Sequence, residues 1–101
     1  MCGATVGGLS TEGIDVSKET VIQGTVSRFG VGVAGAYVRL LDSGDEFTAE
    51  VQTSATGGFR FFAAPGSWTL KALAGGGATG AASIAAETGI NEVELVVSSL
   101  G

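Results

Sequence analysis

Apolar and polar residues alternate along most of this chain, and few folds are compatible with a period of two. The segment EFTAEVQTS is the clearest case, because Phe47, Ala49 and Val51 fall on one side of an extended chain and polar residues on the other. Side chains alternate in this way along a strand that packs one face on a core. A Thr-Gly-Gly tripeptide and a Pro-Gly dipeptide provide turns between such segments. The pattern therefore predicts short strands that form hairpins.

The same period recurs in seven segments, which we expect to be strands. They are TVIQGTVS, GAYVRLLD, EFTAEVQTS, GFRFF, SWTLKAL, AASIAAE and GINEVELVVS. The sixth, at residues 81–87, is equally compatible with a short helix, so strand or helix stays open there. Turn signals recur about every eight to twelve residues, which is typical of an all-β sandwich. Eighteen glycines and a single proline agree with many tight turns and argue against a helical bundle.

The sequence divides into an arm and one domain. Residues 1–18 are rich in Gly, Ser and Thr and predict a flexible N-terminal arm, whereas residues 19–98 predict the folded domain. A chain of 101 residues provides for one domain with a modest core. Because position along a strand sets the face, the inward aromatic residues are expected in that core. They are Phe47, Phe59, Phe61 and Trp68.

Other apolar residues fall on the opposite, outward face by the same parity. They are Tyr37, Leu41, Phe62 and Val96. If the strands are regular, these residues form an exposed apolar stripe, and exposed patches of this kind usually mark an interface. The sequence therefore predicts a homodimer or a face that docks a protein partner.

Residue counts exclude several kinds of chemistry. The chain contains no histidine, which removes Ser-His-Asp and Cys-His catalysis and imidazole metal sites. A single cysteine forms no internal disulfide. We therefore expect a non-enzymatic protein that holds no metal or cofactor.

The charge and hydropathy patterns bear on partners and location. The net charge is −5, from ten carboxylates and five basic residues without a Lys/Arg cluster, so neither nucleic acid nor an anionic membrane is an expected partner. No apolar run is long enough to span a bilayer. The N-terminus shows neither the basic nor the apolar region of a signal peptide, so the expected location is the cytoplasm.

Motifs spaced along residues 19–98 resemble a known domain. TVIQGTVS is followed by VAGAYVRL, TGGFRF and APGSWTLKA. This series is similar to the carboxypeptidase regulatory-like domain, which implies a seven-stranded Greek-key sandwich of the transthyretin-like (prealbumin-like) type. The longer string from ETVIQG to WTLKAL further resembles a small bacterial family named SseC-like, whose members begin with Met-Cys and are encoded near thiosulfate sulfurtransferases. That resemblance implies a link to sulfur metabolism and a sulfurtransferase-like partner, and it implies no activity.

Three further motifs have a structural and a functional interpretation. GGGATG at residues 75–80 matches the glycine pattern of a dinucleotide site, but the next segment is too short for the required helix, which favours a loop. DSGDE at residues 42–46 is acidic enough to suggest calcium, although its spacing favours a solvated turn. Lys18 and Asn91 lie at the starts of the first and last strands, where some sandwich modules form an isopeptide bond.

Cys2, the only cysteine, has three interpretations. Removal of the initiator Met would place its thiol beside the α-ammonium, which favours the thiolate. The thiol could accept a sulfane sulfur as a persulfide, it could pair with a cysteine of another chain, or it could be inert. We expect a small accessory or binding module, with a sulfur carrier that uses Cys2 as the first alternative and a carbohydrate- or peptide-binding module as the second.

Overall fold

Two β-sheets packed face to face make up the described part of the chain. A computed structural model describes residues 14–98. The strands are β1 (Thr20–Arg28), β2 (Val31–Gly32), β3 (Tyr37–Leu41), β4 (Phe47–Gln52), β5 (Gly58–Phe62), β6 (Gly66–Leu73), β7 (Thr79–Ala86) and β8 (Gly89–Val96). In the first sheet, β1 lies between β8 and β5 and also pairs with β2, and the second sheet has the order β4-β3-β6-β7. The predicted all-β sandwich is confirmed.

The predicted number of seven strands is wrong, because the described chain contains eight. The added strand is β2, in which Val31 and Gly32 pair with Arg28 and Ser27 after the chain reverses. A strand of two residues shows no alternation, so the sequence pattern does not reveal it. The seven longer strands correspond to the seven predicted segments.

Residues 81–87, for which the sequence leaves helix or strand open, belong almost entirely to β7. Alanine favours a helix in isolation. However, β7 pairs antiparallel with β6 along its whole length, from Thr79 opposite Leu73 to Ala86 opposite Gly66. A full ladder and an inward face packed on the core outweigh a weak local preference.

The inner faces of both sheets form one core. Its most completely buried aliphatic side chains include Ile22, Val26 and Leu95 from the first sheet and Val38, Leu40 and Leu70 from the second. Phe59 and Phe61 belong to the same cluster, as predicted, with ring centroids 6.1 Å apart and ring planes inclined by 57°. Trp68 is half-buried against the cluster, and its Nε1–H donates to the carbonyl oxygen of Ala64 at 2.8 Å.

The prediction that Phe47 lies in the core is wrong, because its side chain is 61% exposed. The register between β3 and β4 shifts between Leu40 and Leu41, so Thr48 is an extra residue in β4. A β-bulge of this kind displaces the alternation by one position. Phe47 therefore lies on the outer face of the second sheet, where the guanidinium of Arg39 is 5.9 Å from its ring centroid.

A buried polar row crosses the outer face of the first sheet. Gln23 of β1 is only 2% exposed. Its Oε1 accepts from Nε of Arg60 on β5 at 2.9 Å, and its Nε2 donates to Oε2 of Glu92 on β8 at 3.0 Å. Both ends of the buried amide are therefore satisfied, as buried polar groups require. The row connects the three main strands of the sheet on the side away from the core.

Asn91 and Asp42 have structural roles in turns. Nδ2 of Asn91 donates to the carbonyl oxygen of Glu87 at 2.7 Å and to that of Val21 at 3.0 Å, so its amide joins the β7–β8 turn to β1. Oδ1 of Asp42 accepts the backbone N–H of Gly44 at 2.8 Å and stabilises the β3–β4 turn. Both side chains thus bind backbone groups, which supports a structural role for Asn91 rather than an isopeptide crosslink, and for Asp42 rather than a calcium site.

The GGGATG segment forms a 3₁₀ turn at Gly75–Gly77 and then enters β7. Gly76 and Gly77 have positive φ angles of 75° and 76°, a region that glycine adopts without strain. Since a dinucleotide site of this pattern needs a helix after the loop, the structure supports the interpretation as an interstrand loop.

Part of the predicted N-terminal arm is described. Residues 14–18 include a turn in which the backbone N–H of Lys18 donates to the carbonyl oxygen of Asp15 at 3.0 Å. The Asp15 carboxylate accepts the hydroxyl of Ser17 at 2.6 Å and its backbone N–H at 3.0 Å. These two hydrogen bonds hold the pKa of Asp15 below its usual value of 3.8. Residues 1–13, with Cys2, lie outside the described part of the chain.

Candidate binding surface

The strand directions gather the connections at two opposite ends of the sandwich. We call one the hairpin end; it comprises residues 29–30, 33–36, 53–57, 74–78 and 97–98. We call the other the acidic end; it comprises residues 14–19, 42–46, 63–65 and 87–88. Antiparallel hairpins, with β8 parallel to β1, produce this arrangement. The two ends can therefore present different chemistry.

Charge is distributed unequally between the two ends. Most carboxylates of the described chain lie at the acidic end: Asp15, Glu19, Asp42, Asp45, Glu46 and Glu87. Within residues 14–98, the loops of the hairpin end contain no Asp or Glu and consist of Gly, Ala, Val, Ser, Thr and Phe. The charge closest to the turn is a cation, Arg28, at the end of β1. The described part of a protein of net charge −5 thus has one end without acidic loops.

Exposed apolar side chains accumulate at the hairpin end. Phe29 is 88% exposed and Val31 is 67% exposed, beside each other in the β1–β2 hairpin. Strand ends at the same end of the sandwich present further apolar residues, namely Tyr37, Leu73 and Val96. Exposed apolar residues that occur singly are normal, but the neighbouring pair Phe29 and Val31, beside loops without carboxylates, is typical of an interaction site.

Phe29 occupies an unusual position for an aromatic residue. Residues 29 and 30 form a two-residue hairpin turn, in which φ is 54° at Phe29 and 78° at Gly30. Positive φ at both central residues defines a type I′ turn, for which Asn-Gly is the preferred pair. The Arg28 guanidinium lies 5.6 Å from the ring centroid of Phe29, and its Nη1 donates to the carbonyl oxygen of Gly75 at 3.5 Å. The turn thus directs an aromatic ring away from the sandwich.

The loops beside this hairpin are held by a buried hydroxyl. Oγ1 of Thr53 accepts the backbone N–H of Ala36 at 2.8 Å and donates to the carbonyl oxygen of Val33 at 2.6 Å. Thr53 is 7% exposed, so these hydrogen bonds are shielded from water. They join the β4–β5 loop to the β2–β3 crossover and give the hairpin end a defined shape.

The four residues predicted to form an outward stripe do not form one surface. Tyr37 and Val96 are exposed near the hairpin end, but on the outer faces of different sheets, and Phe62 is exposed near the acidic end. Leu41 is 8% exposed, between Phe47 and Thr69 on the neighbouring strands. Parity assigns a face within one strand, and it does not say which strands share a sheet.

Alternation does not reveal Phe29, since the residue lies in a turn rather than in a strand. The available signal is the Phe-Gly dipeptide between TVIQGTVSR and VGV, because two residues ending in Gly between apolar segments suggest a hairpin.

Within residues 14–98, no three Asp, Glu, His or Cys side chains form a group that could hold a metal ion. The same part of the chain has no helix of the length and apolar character that crossing a bilayer requires.

Solved structures share this sandwich and define its class. The crystal structure of S.CueP matches with a TM-score of 0.65 at 14% identity, over 79% of this chain and 62% of that one. A DUF3823 family protein from Parabacteroides merdae matches with a TM-score of 0.61 at 18% identity, over 79% of this chain and 46% of that one. This chain thus spans less than two thirds of either structure, and the likeness is one of fold. The class is a small two-sheet β-sandwich.

The chain belongs to a family described as "Protein of unknown function (DUF1416)", whose model matches residues 2–97. Two relatives from Mycobacterium tuberculosis, the uncharacterized proteins Rv0814c and Rv3118, are each 54% identical over 99 residues, 96% of this chain and 99% of theirs. An uncharacterized protein from Mycolicibacterium smegmatis is 55% identical over 86 residues, 84% of this chain and 96% of that one. The narrower resemblances stay predictions beside this assignment.

Proposed function

We propose that this protein is a small non-catalytic module that docks onto a protein partner through its hairpin end. The observation that carries the proposal is Phe29, which is 88% exposed at the tip of the β1–β2 turn. A left-handed conformation costs a non-glycine residue roughly 1–2 kcal/mol, and Asn or Gly would hold the same turn with less strain. A partner that buries the ring offsets this cost.

The chemistry of the hairpin end supports an anchor role for Phe29. Burial of an aromatic side chain removes about 150–250 Å² from water, which corresponds to about 4–6 kcal/mol at 25 cal/mol per Å². Aromatic residues surrounded by an apolar patch, here with Val31 beside the ring, are typical binding hot spots. Since Phe29 and Val31 are exposed and the hairpin-end loops of the described chain lack carboxylates, the complementary partner surface is an apolar pocket.

The resemblance to the SseC-like family supports a thiosulfate sulfurtransferase as the partner, because members of that family are encoded near such enzymes. The motifs shared with the carboxypeptidase regulatory-like domain agree with an accessory sandwich. The absence of histidine from the sequence supports a non-catalytic role. We place the module and its partner in the cytoplasm.

The substitution Phe29→Asn tests the proposal. Asn removes the ring and suits a type I′ turn better than Phe does, so we expect the free energy of unfolding to stay the same or rise. Affinity for a purified thiosulfate sulfurtransferase should fall at least about tenfold, as for a typical hot-spot residue. Isothermal titration calorimetry measures the affinity, and chemical denaturation measures the stability.

Phe62→Asn is the matched control, since Phe62 is also exposed but lies at the acidic end. It should leave the affinity unchanged. Equal affinity of the wild type and Phe29→Asn would contradict the proposal. The proposal would also be contradicted if the protein did not bind the sulfurtransferase and instead formed a homodimer in analytical ultracentrifugation that Phe29→Asn dissociates. In that case the hairpin end would be a surface for self-association.

A sulfur carrier is a second candidate, and the observation that favours it is that the family match begins at residue 2, the cysteine. The Cys2 thiolate would attack the sulfane sulfur of an enzyme persulfide. The donor's S–S bond breaks as a new S–S bond forms at Cys2, and the donor cysteine leaves as a thiolate. This exchange needs no external oxidant.

Intact mass spectrometry tests the sulfur carrier. After incubation with thiosulfate and a sulfurtransferase, the wild type should gain the mass of one sulfur atom, and dithiothreitol should remove it. Cys2→Ser should gain nothing and should still bind the sulfurtransferase. A wild type that gains no mass would exclude the carrier role and leave the docking proposal intact.

A further inference from the structure

An open groove of about 680 Å³ lies on the outer face of the second sheet and reaches the hairpin end at Tyr37, Leu73 and Thr79. Its walls and floor are formed by side chains and backbone from β3, β4, β6 and β7. The principal residues are Tyr37, Arg39, Lys71, Leu73, Thr79 and Ala81. This volume is within the range of small-molecule sites, about 300–1,000 Å³.

The groove exists because neighbouring strands carry outward side chains of different height. Lys71 and Leu73 of β6 stand opposite Ala81 and Thr79 of β7, respectively. The short side chains of β7 leave space beside the long side chains of β6, and Tyr37 lies opposite Leu73 on the other side. Tyr37 and Leu73 are 47% and 50% exposed, so one wall of the groove is an accessible apolar surface.

Among the described residues, Lys71 is a cation without a counterion in this groove. Within residues 14–98 it makes no ion pair or hydrogen bond, and its cross-strand neighbours are Arg39 and Ala81. Like charges at directly opposed positions are destabilising. The nearest carboxylate along that row of the sheet, Glu50, is already paired with Arg39, Nε to Oε2 at 2.8 Å. The row of Glu50, Arg39 and Lys71 therefore carries one positive charge that no carboxylate in the row neutralises.

We infer that this groove binds a small organic carboxylate with an apolar body. The carboxylate would lie between Lys71 and the guanidinium of Arg39, whose Nε is the atom paired with Glu50. The apolar body would lie along Leu73, with Tyr37 and Ala81 on either side. This site goes beyond the docking role of the hairpin end and does not depend on it.

The charge of the groove favours a monoanion. Arg39, Lys71 and Glu50 together carry one net positive charge, which a single carboxylate neutralises. A phosphate ester with two negative charges would leave an excess negative charge beside Glu50. An ion without an apolar part would leave the Leu73 wall in water and gain only exposed ion pairing, which is weak. The ligand therefore combines a single negative charge with an apolar body.

Titration with 3-phenylpropionate, followed by ¹⁵N–¹H NMR, tests the inference. We expect millimolar affinity, with shifts concentrated at the backbone amides of Lys71, Leu73, Thr79 and Ala81. The uncharged isostere 3-phenylpropionamide, acetate and phenyl phosphate should each bind at least about fivefold more weakly, a ratio that corresponds to about 1 kcal/mol.

Lys71→Gln should weaken binding of 3-phenylpropionate at least about fivefold, the loss expected for one charge-assisted contact. Lys18→Gln is the matched control, because Lys18 is an exposed lysine at the acidic end, and it should change nothing. Phe29→Asn should likewise leave this affinity unchanged, so the test is independent of partner docking. Shifts outside the groove, equal binding of the amide, or full affinity in Lys71→Gln would each overturn the inference.

Discussion

Replacement of Gly24 by alanine is expected to remove a large part of the stability of the sandwich. Gly24 lies in the middle of β1, where β1 pairs in parallel with β8. A Cβ added at Gly24 would overlap the carbonyl oxygen of Val93 and lie 2.7 Å from its carbonyl carbon. Both atoms belong to the backbone, so no side-chain rotation relieves the clash, and β8 has to move away from β1.

Displacement of β8 disrupts one whole side of the first sheet, since β8 pairs with β1 from Thr20 to Ser27. We expect a loss of about 4 kcal/mol or more, which is exceptional for a point substitution and large against a total of about 5–15 kcal/mol. The melting temperature should fall by roughly 20 °C or more. Circular dichroism melts and chemical denaturation measure both quantities.

Gly44→Ala is the matched control for this prediction. Gly44 lies in the β3–β4 turn, and the closest atom to a Cβ added there is Oδ1 of Asp42 at 3.5 Å, an ordinary van der Waals contact. The control should change the free energy of unfolding by no more than about 0.5 kcal/mol. A Gly24→Ala protein as stable as Gly44→Ala would show that β1 and β8 are not closely packed at this point.

Replacement of Thr53 by valine is the second large effect, expected to cost about 3 kcal/mol. Valine has nearly the same shape as threonine but no hydroxyl. The backbone N–H of Ala36 and the carbonyl oxygen of Val33 would each lose a partner in a shielded site. Each unsatisfied buried group costs about 1–3 kcal/mol. The amides of residues 33–36 should also exchange with solvent faster, which hydrogen exchange measures.

Thr53→Ser separates the hydroxyl from the methyl group. Serine keeps the donor and acceptor and loses one buried methyl, which is worth about 1 kcal/mol. We therefore expect the serine protein to lose less than half the stability that the valine protein loses. If valine were the better tolerated of the two, the hydrogen bonds of Thr53 would not be what holds the β2–β3 crossover.

Regular strands were predictable from the sequence because their alternation reflects burial directly. The inward positions of β1, Ile22 and Val26, are fully buried, and Phe59 and Phe61 lie in the core as expected. Phe47 was not predictable, because a bulge inserts Thr48 and changes the phase of the alternation without changing the composition. Alternation gives a face only as long as the pairing register is regular.

The candidate surfaces were less predictable than the core. Tyr37 is exposed, as expected. Its neighbour in the groove is Leu73, and this contact follows only from the pairing of β6 with β3, which the alternation within each strand does not reveal. Within the described chain, Lys71 of β6 lacks a counterion because Glu50, which lies two strands away on β4, pairs with Arg39 of the intervening β3. Phe29 lies in a turn, where no periodicity applies. All three depend on which strands are neighbours.

By itself, the sequence determined the class of fold, the positions of the long strands other than β7 and the absence of histidine chemistry, because burial and residue type are local properties. Only the tertiary structure decided that residues 79–86 are a strand, that Gly24 lies against Val93, and that, over residues 14–98, one end of the sandwich has no acidic loops. These features come from pairing between residues distant in sequence. The free energy of that pairing depends on both partners, so neither segment specifies it alone.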